Sequence, residues 1–470
     1  MDPADPAETA RRGQGRAAAA QWAAPWAQNA EACRSLSSTP TGNRNNQSAN
    51  DAEEGKKKDK KKKAQTYQAS ASTVAEISSQ DTARYFQIKD EELATLLPEG
   101  INADTKSFFE ILGNKLVLLR ESITETIDLL RKIQAGEAGQ ESFVRLLSGE
   151  RGMGKSITMQ LAVMFARSQG WIVMYVPETH KFVTEMGAIE YGTGTGAPLA
   201  ASKLRPKLMT QPLGAQKILQ WMKEAHGEQL SELKQQRKYP AKLYDNNDSL
   251  MAIVDRGLKT APFAGDALLD LRLELGLVTK YPVLIAVDEI NTLSWPTCFF
   301  DNAAPVVPER LMVTETFRFL NPSGEVRDHL KLARGLLLGA SSSKWGYPVS
   351  PKIIADHKKK LPNPPTYFAP FNEFGDKVEV ADESILMEAP RYTPEELRNT
   401  VISYKYCKVL DSPSALDPYK LKTLMAITGG IPREVHKFLW YPAFTLYAEP
   451  HPDVQRPNRK HNYSIARTSY

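Results

Sequence analysis

The chain is poor in cysteine and has no long apolar run, and each shortage excludes a class of protein. Its 470 residues include three cysteines, Cys33, Cys298 and Cys407. These are too few and too widely spaced for a disulfide framework or a cysteine metal cluster. A reducing compartment is therefore the simpler expectation. No stretch approaches the roughly 20 apolar residues that a membrane-spanning helix needs, and we expect no secretory signal near the start because a long apolar segment is missing there.

The composition is otherwise ordinary for a globular protein, with 41% hydrophobic and 24% charged residues. A chain of 470 residues is too long for one compact core, so we expect two domains with tails. The net charge of +5 is concentrated in the tails. Residues 1–66 hold twelve Lys or Arg against eight Asp or Glu, and residues 451–470 hold four Lys or Arg against one acid, Asp453. This layout is typical of flexible basic arms that meet a polyanion.

Residues 1–50 lack hydrophobic periodicity, which predicts a disordered tail. Arginines at 11, 12, 16 and 34 and a Ser/Thr cluster favour a mitochondrial transit peptide, whereas acids at 2, 5 and 8 favour a plain tail. Residues 56–63 contain seven lysines and one aspartate. They form either a solvated linker or an arm that neutralises nucleic-acid phosphates.

A glycine-rich segment is the first sign of chemistry. Residues 149–156 read Gly-Glu-Arg-Gly-Met-Gly-Lys-Ser, which is the spacing of the phosphate-binding P-loop. A predicted buried strand over 143–148 precedes it and a predicted helix over 157–168 follows, which is the context that such a loop requires. A coincidental glycine-rich turn is the alternative. The predicted nucleotide-binding residues here are Gly149, Arg151, Gly152, Met153, Gly154, Lys155, Ser156 and Ile157.

Two carboxylates follow a second apolar run. Residues 283–287 predict a buried parallel strand that ends in Asp288 and Glu289, and ligands of open α/β sheets bind at such strand ends. We expect Mg²⁺ to be held by the Ser156 hydroxyl and, through water, by Asp288. Glu289 is the candidate catalytic residue that would orient or deprotonate an attacking water. Many strands end in acids, so this pattern gains its weight from the P-loop upstream.

Further segments complete a predicted nucleotide domain with a helical lid. Another buried strand is predicted over 335–343, and it ends in small polar residues. Ser341 or Ser342 would be a polar sensor, and a plain serine-rich strand exit is the alternative. Residues 428–435, Thr-Gly-Gly-Ile-Pro-Arg-Glu-Val, begin a helix at proline. They would direct Arg433 back at the nucleotide, and an ordinary turn with an exposed arginine is the alternative. A leading helix is predicted over 114–133, from apolar residues at helical spacing.

The predicted fold class is α/β, with a parallel sheet flanked by helices, a C-terminal helical lid and disordered basic tails. The expected divisions are a transit peptide with the lysine-rich segment, an N-terminal extension with the leading helix, a P-loop nucleotide-binding domain, a helical lid and a basic tail. Their bounds are 1–66, 67–140, 141–390, 391–448 and 449–470.

In this order the motifs resemble the AAA+/STAND branch of P-loop NTPases. More closely, residues 140–440 resemble the death-associated protein three family of mitochondrial small-subunit ribosomal proteins. The segments that carry this resemblance are 147–156 with 171–177, 211–213 with Trp221, 284–293 and 385–404. It implies a structural component of the mitochondrial small ribosomal subunit, located in the matrix. It also implies contacts with rRNA and neighbouring small-subunit proteins, and bridges to the large subunit.

The same resemblance implies a bound purine nucleotide, GTP or GDP, with ATP as the adenine alternative. An Asn-Lys-x-Asp segment, which reads guanine in classical GTPases, is missing from the sequence, so guanine preference rests on the resemblance alone. The alternative function is an active AAA+/STAND ATPase or GTPase that acts as a switch or remodelling factor. It would need an arginine supplied in trans, for which Arg334 is a candidate. A signalling adaptor of the apoptosis type has no direct support.

Overall fold

The computed structural model describes residues 67–137, 143–184, 187–193, 208–239, 244, 248–294, 297–320, 326–342, 385–410, 412 and 414–440. The predicted transit peptide, the lysine-rich segment and the basic tail 449–470 lie outside the described residues. Within the described part, no helix is both long and apolar enough to cross a membrane.

The strands and helices are numbered in chain order. The strands are β1 (Tyr85–Gln87), β2 (Leu116–Leu118), β3 (Phe143–Ser148), β4 (Ile172–Val176), β5 (Glu190–Tyr191), β6 (Met209–Thr210), β7 (Val283–Val287), β8 (Phe300–Asp301), β9 (Ala304–Pro305), β10 (Gly335–Ala340) and β11 (Leu386–Glu388). The helices are α1 (Asp90–Leu96), α2 (Ala103–Leu112), α3 (Glu121–Ala135), α4 (Lys155–Ser168), α5 (His180–Thr184), α6 (Pro212–Glu232), α7 (Leu250–Lys259), α8 (Ala264–Leu275), α9 (Met312–Phe317), α10 (Pro394–Tyr406), α11 (Pro418–Thr428) and α12 (Pro432–Trp440).

Five strands form a parallel sheet in the order β11-β3-β10-β7-β4. β10 lies in the middle, where Leu337 faces Val144 of β3 on one side and Ile285 of β7 on the other. The carboxyl ends of these strands meet at one edge of the sheet. This topology brings together the segments that follow β3, β10 and β7, and it confirms the predicted α/β fold with a parallel sheet.

Helices cover both faces of the sheet, which explains why its inner strands are apolar on both sides. Alternate residues of β4 show the two layers: Ile172 and Met174 pack with α6, α7 and α8, whereas Val173 packs with α3 and α4. Every residue of α8 is buried, including the charged Arg272. Burial lowers the pKa of Arg272 to about 9, and its guanidinium donates to the Leu330 carbonyl.

The predicted leading helix over 114–133 is partly wrong. Leu116–Leu118 form strand β2, paired antiparallel with Tyr85–Gln87, and the helix begins only at Glu121. All three β2 side chains are buried, because one side of the strand packs with the sheet layer and the other with the C-terminal helices. Arg120, in an extended conformation, separates strand from helix.

The C-terminal helices α10–α12 share a core with the N-terminal segment 67–119. The Tyr85 hydroxyl donates to Thr400 Oγ1 at 3.1 Å, and Asn399 Nδ2 donates to the Ala83 carbonyl at 2.8 Å. The predicted lid is therefore anchored to the first described residues of the chain, and the sequence did not indicate that contact.

Two buried polar arrangements secure the layers around β4. His226 lies where α6 is kinked, and its Nε2 accepts the Val173 N–H at 3.0 Å, which satisfies an amide on the outer edge of the sheet. Burial lowers the pKa of His226 to about 4. On the other face, Arg167 donates to both carboxylate oxygens of Glu99, at 2.7 and 2.6 Å.

Candidate phosphate-binding site

The glycine-rich segment forms a tight loop between β3 and α4, as predicted. Gly152 and Gly154 adopt φ values of +86° and +95°, which residues with a Cβ rarely adopt. Backbone of this kind turns successive N–H groups toward a common centre and makes a concavity that suits anions. α4 begins directly at Lys155, so its amino end adds further unpaired N–H groups to the same place.

Lys155 lies at the mouth of this loop and is 7% exposed. Its Nζ donates to the carbonyls of Gly149 and Glu150, at 2.8 and 2.9 Å. Burial lowers the pKa of Lys155 to about 8, although the carboxylates of Asp288 and Glu150 oppose the shift. A phosphate beside Lys155 would favour the charged amine in the same way.

Asp288 follows β7 and reaches the start of α4. It is 3% exposed, and burial, with the adjacent Glu289 carboxylate, raises its pKa, while a hydrogen bond from Ser156 opposes the shift. The Ser156 hydroxyl and the Asp288 carboxylate, which are the two predicted Mg²⁺ ligands, are thus in contact. Its Oδ1 also accepts the Glu289 N–H at 2.9 Å.

Glu289 is held by side chains from two neighbouring strand ends. Its Oε2 contacts His180 Nδ1, and its Oε1 accepts from Ser342 Oγ at 3.3 Å. Its φ of +58° is strained for a residue with a side chain. Thr179 Oγ1 donates to the Glu289 carbonyl at 2.7 Å and helps to hold that conformation.

Of the two predicted sensor candidates, Ser342 is the residue that reaches Glu289. It also exchanges two hydrogen bonds of 2.8 Å with the Asn291 side chain. The Ser341 N–H instead donates to the Leu147 carbonyl at 3.0 Å, which extends the pairing of β10 with β3. The geometry therefore favours Ser342 for the sensor position.

Arg433 lies against the loop at the start of α12. Its backbone N–H donates to the Gly152 carbonyl at 3.1 Å, and a Cβ on Gly152 would lie 2.4 Å from the Arg433 Cβ. Burial, followed by repulsion from Arg433, lowers the pKa of the Arg151 guanidinium. Two cationic side chains therefore lie near each other at the rim of the loop, where an anion would relieve their repulsion.

Arg120 is a neighbour of the loop that sequence reasoning missed. Its side chain is 6% exposed and pairs with Glu396 of α10, and its Nη1 donates to the Met153 carbonyl at 2.7 Å. His180 was missed as well. No local motif marks either residue, although the position of His180 just beyond the end of a predicted buried strand was a usable signal.

The structure brings the predicted site residues to one edge of the sheet, with two qualifications. Ile157 lies in the first turn of α4 and packs with the apolar layer beneath the loop. Arg334 lies at the opposite, amino end of β10, where it donates to the Gln134 carbonyl at 2.8 Å. Arg334 is therefore remote from this chain's own site.

The parallel sheet, the loop after β3 and the acids after β7 define an α/β protein of the P-loop type. The family model for "Mitochondrial ribosomal death-associated protein 3" matches residues 117–438. The chain belongs to this family, which confirms the resemblance carried by its motifs. Membership also places the chain in the mitochondrial matrix, as predicted.

Three curated relatives are each named small ribosomal subunit protein mS29. The Bos taurus protein is 24% identical over 52% of this chain and 60% of its own length. The Mus musculus protein is 25% identical over 53% of this chain and 62% of its own length. The Neurospora crassa protein is 32% identical over 25% of this chain and 22% of its own length. The chain thus spans about three fifths of the mammalian relatives that it matches.

Among solved structures, the chain is similar to the Aeropyrum pernix ORC1 protein in complex with DNA. The two are 14% identical with a TM-score of 0.31, over 68% of this chain and 57% of that chain. A similarity this low adds nothing to the fold described above.

Proposed function

We propose that the protein is a structural component of the mitochondrial small ribosomal subunit and holds a purine nucleotide with Mg²⁺ as part of its architecture. The family and its mS29 relatives support the ribosomal part. The observation that carries the architectural nucleotide is the attachment of the C-terminal helices to the phosphate loop, through Arg433 and through Arg120 with Glu396. A nucleotide in the loop would lie between parts of the chain that are already joined. Such a ligand stabilises a fold rather than driving a large movement.

The residues at the loop fit a nucleotide with its metal ion. Lys155 offers a buried cation to the phosphates, and the contact between Ser156 and Asp288 offers two oxygen ligands of the kind that Mg²⁺ prefers. The described residues contain no group of three or more His, Cys, Asp or Glu side chains that could hold a metal ion. Mg²⁺ would therefore take its remaining ligands from phosphate oxygens and water.

The choice of base and the RNA contacts belong to the same proposal. GTP or GDP is favoured by the family resemblance and ATP remains the alternative, since a guanine-reading segment is missing from the sequence. The basic segments 56–63 and 451–470 supply the charge for rRNA contacts. Neighbouring small-subunit proteins and bridges to the large subunit are the remaining proposed partners.

The test compares Lys155→Ala with Lys132→Ala, an exposed lysine near the end of α3, two residues before Gln134, which contacts Arg334 at the amino end of β10. We expect Lys155→Ala to purify without nucleotide and to co-sediment less with the mitochondrial small subunit through high salt. A nucleotide at a hundred times its Kd adds about 2.7 kcal/mol of stability, and this variant should lose that gain. If it enters small subunits normally with an empty site, the architectural role is wrong.

Nucleotide hydrolysis is the second candidate function, and the observation that favours it is the Glu289 carboxylate beside Asp288. Both of its oxygens contact other side chains, His180 and Ser342, so it would have to be released before it could activate water. Sustained turnover of ATP or GTP by the purified chain, lost in Glu289→Gln, would favour this candidate over a purely architectural nucleotide.

A further inference from the structure

Arg120 joins the outer side of the phosphate loop to two other segments of the chain. Its Nη1 donates to the Met153 carbonyl at 2.7 Å and its Nε to Glu396 Oε1 at 3.1 Å. Its Nη2 donates to the Pro390 carbonyl, and its guanidinium carbon lies 5.1 Å from the centre of the Tyr392 ring. A buried cation with this set of partners is fixed in position.

These contacts determine where two amides of the loop point. In a trans peptide the C=O and the following N–H point in opposite directions. The Met153 carbonyl is directed at Arg120, so the Gly154 N–H is directed away from it. The Gly152 carbonyl accepts from the Arg433 N–H at 3.1 Å, so the Met153 N–H is likewise directed away from the C-terminal helices. Two consecutive amide donors are thus aimed into the loop by contacts made outside it.

The peptide between Met153 and Gly154 depends on such a contact. Gly154 has φ +95° and no atom within 4 Å of the place where a Cβ would lie, so packing around Gly154 does not hold this peptide, whereas the Met153 side chain on its other side is buried. An amide that is already aimed at its anion binds it without first paying the entropy of alignment. An amide that turns freely loses that advantage.

We propose that Arg120 is a positioning residue for phosphate binding, which orients the Met153–Gly154 peptide so that the Gly154 N–H donates to a nucleotide phosphate. This inference rests on the nucleotide binding proposed above and adds to it a residue 33 positions upstream of Met153. Because Arg120 acts on the phosphate loop and not on the base, its loss affects guanine and adenine nucleotides equally.

The test compares Arg120→Met with Glu396→Gln in the full chain, by calorimetric titration with GDP and with ADP, each with Mg²⁺. Arg120→Met keeps most of the side-chain volume and removes the donor to Met153. Glu396→Gln removes the charge of the same buried ion pair, but its amide oxygen can still accept from Arg120 Nε, so Arg120 keeps facing the loop. We expect Arg120→Met to weaken both nucleotides by the same factor, about tenfold. Glu396→Gln should leave both affinities unchanged, although both variants lower Tm.

Unchanged affinities in Arg120→Met, with a lowered Tm, would overturn the inference and leave Arg120 as a stabilising residue only. An equal loss of affinity in Glu396→Gln would overturn it too. If Arg120→Met does not fold, the double variant Arg120→Met/Glu396→Leu decides, because it removes the donor to Met153 without leaving the Glu396 carboxylate buried and unpaired: weakened binding supports the inference and full affinity overturns it. Failure of the unchanged chain to bind either nucleotide overturns the proposed function itself, which separates the two failures.

Discussion

Replacing Gly152 with alanine tests whether the C-terminal helices press on the phosphate loop. Gly152 has φ +86°, and a Cβ there would lie 2.4 Å from the Arg433 Cβ and 3.0 Å from its Cδ. The left-handed conformation costs an alanine about 1–2 kcal/mol. The Arg433 Cβ is fixed to the backbone of α12, so the overlap also forces a helix to move, at about 1–3 kcal/mol.

Gly154→Ala is the matched control, since Gly154 has φ +95° and open space around the added Cβ. Urea unfolding should show a loss of about 1–2 kcal/mol for Gly154→Ala, from backbone strain alone. The loss should be about 2–5 kcal/mol for Gly152→Ala, from strain and overlap together. In a double-mutant cycle, Arg433→Gly should recover the difference between the two. Equal losses in the two alanine variants, or no coupling to Arg433→Gly, would refute the contact.

Three further predictions concern other buried groups. Burial lowers the pKa of His226 to about 4, so the neutral ring contributes stability above pH 6.5 that is lost as the pH falls toward 4, about 3 kcal/mol in all. In a pH series of unfolding free energies, His226→Gln should flatten the slope between these two pH values. An unaltered slope would show that His226 does not cause this pH dependence. Glu99→Gln leaves the Arg167 guanidinium, which is 4% exposed, without its charged partner, and should lower the free energy of unfolding in urea by about 3–5 kcal/mol. A decrease below about 1 kcal/mol, as for a surface ion pair, would show that the pair is solvated. Glu289→Gln should retain nucleotide affinity in a titration and remove any phosphate release, and turnover that persists would exclude Glu289 as the base.

The strands of the sheet were predictable because fully buried parallel strands are short, continuous apolar runs. Val283–Val287 and Gly335–Ala340 show this pattern, and every residue in both is buried. The site was predictable to the same extent, since its loop and its acids directly follow such strands. Because β3 and β7 are parallel strands of one sheet, the loop after β3 and the acids after β7 lie at the same edge.

The N-terminal segment was harder to predict, for two physical reasons. Leu116, Leu119 and Ile123 have helical spacing, and a strand of three residues is too short to show a period of its own. The second reason is distance along the chain. Arg120 and Glu396 are separated by 276 residues, and a single sequence does not indicate which remote residues will meet.

The core shared by residues 67–119 and the C-terminal helices has a consequence for the order of folding. Contacts such as Tyr85 with Thr400 and Arg433 with Gly152 span most of the chain, and contacts so distant in sequence form slowly. During synthesis the loop between β3 and α4 emerges long before α10–α12. Until those helices emerge, the Gly152 carbonyl lacks its donor Arg433, and Arg120, the donor to the Met153 carbonyl, lacks its partner Glu396. The loop after β3 therefore gains its contact with Arg433 only when α12, the last helix of the described residues, docks. Loss of α12 by truncation would leave an intact loop sequence without the hydrogen bond that holds its Gly152 carbonyl.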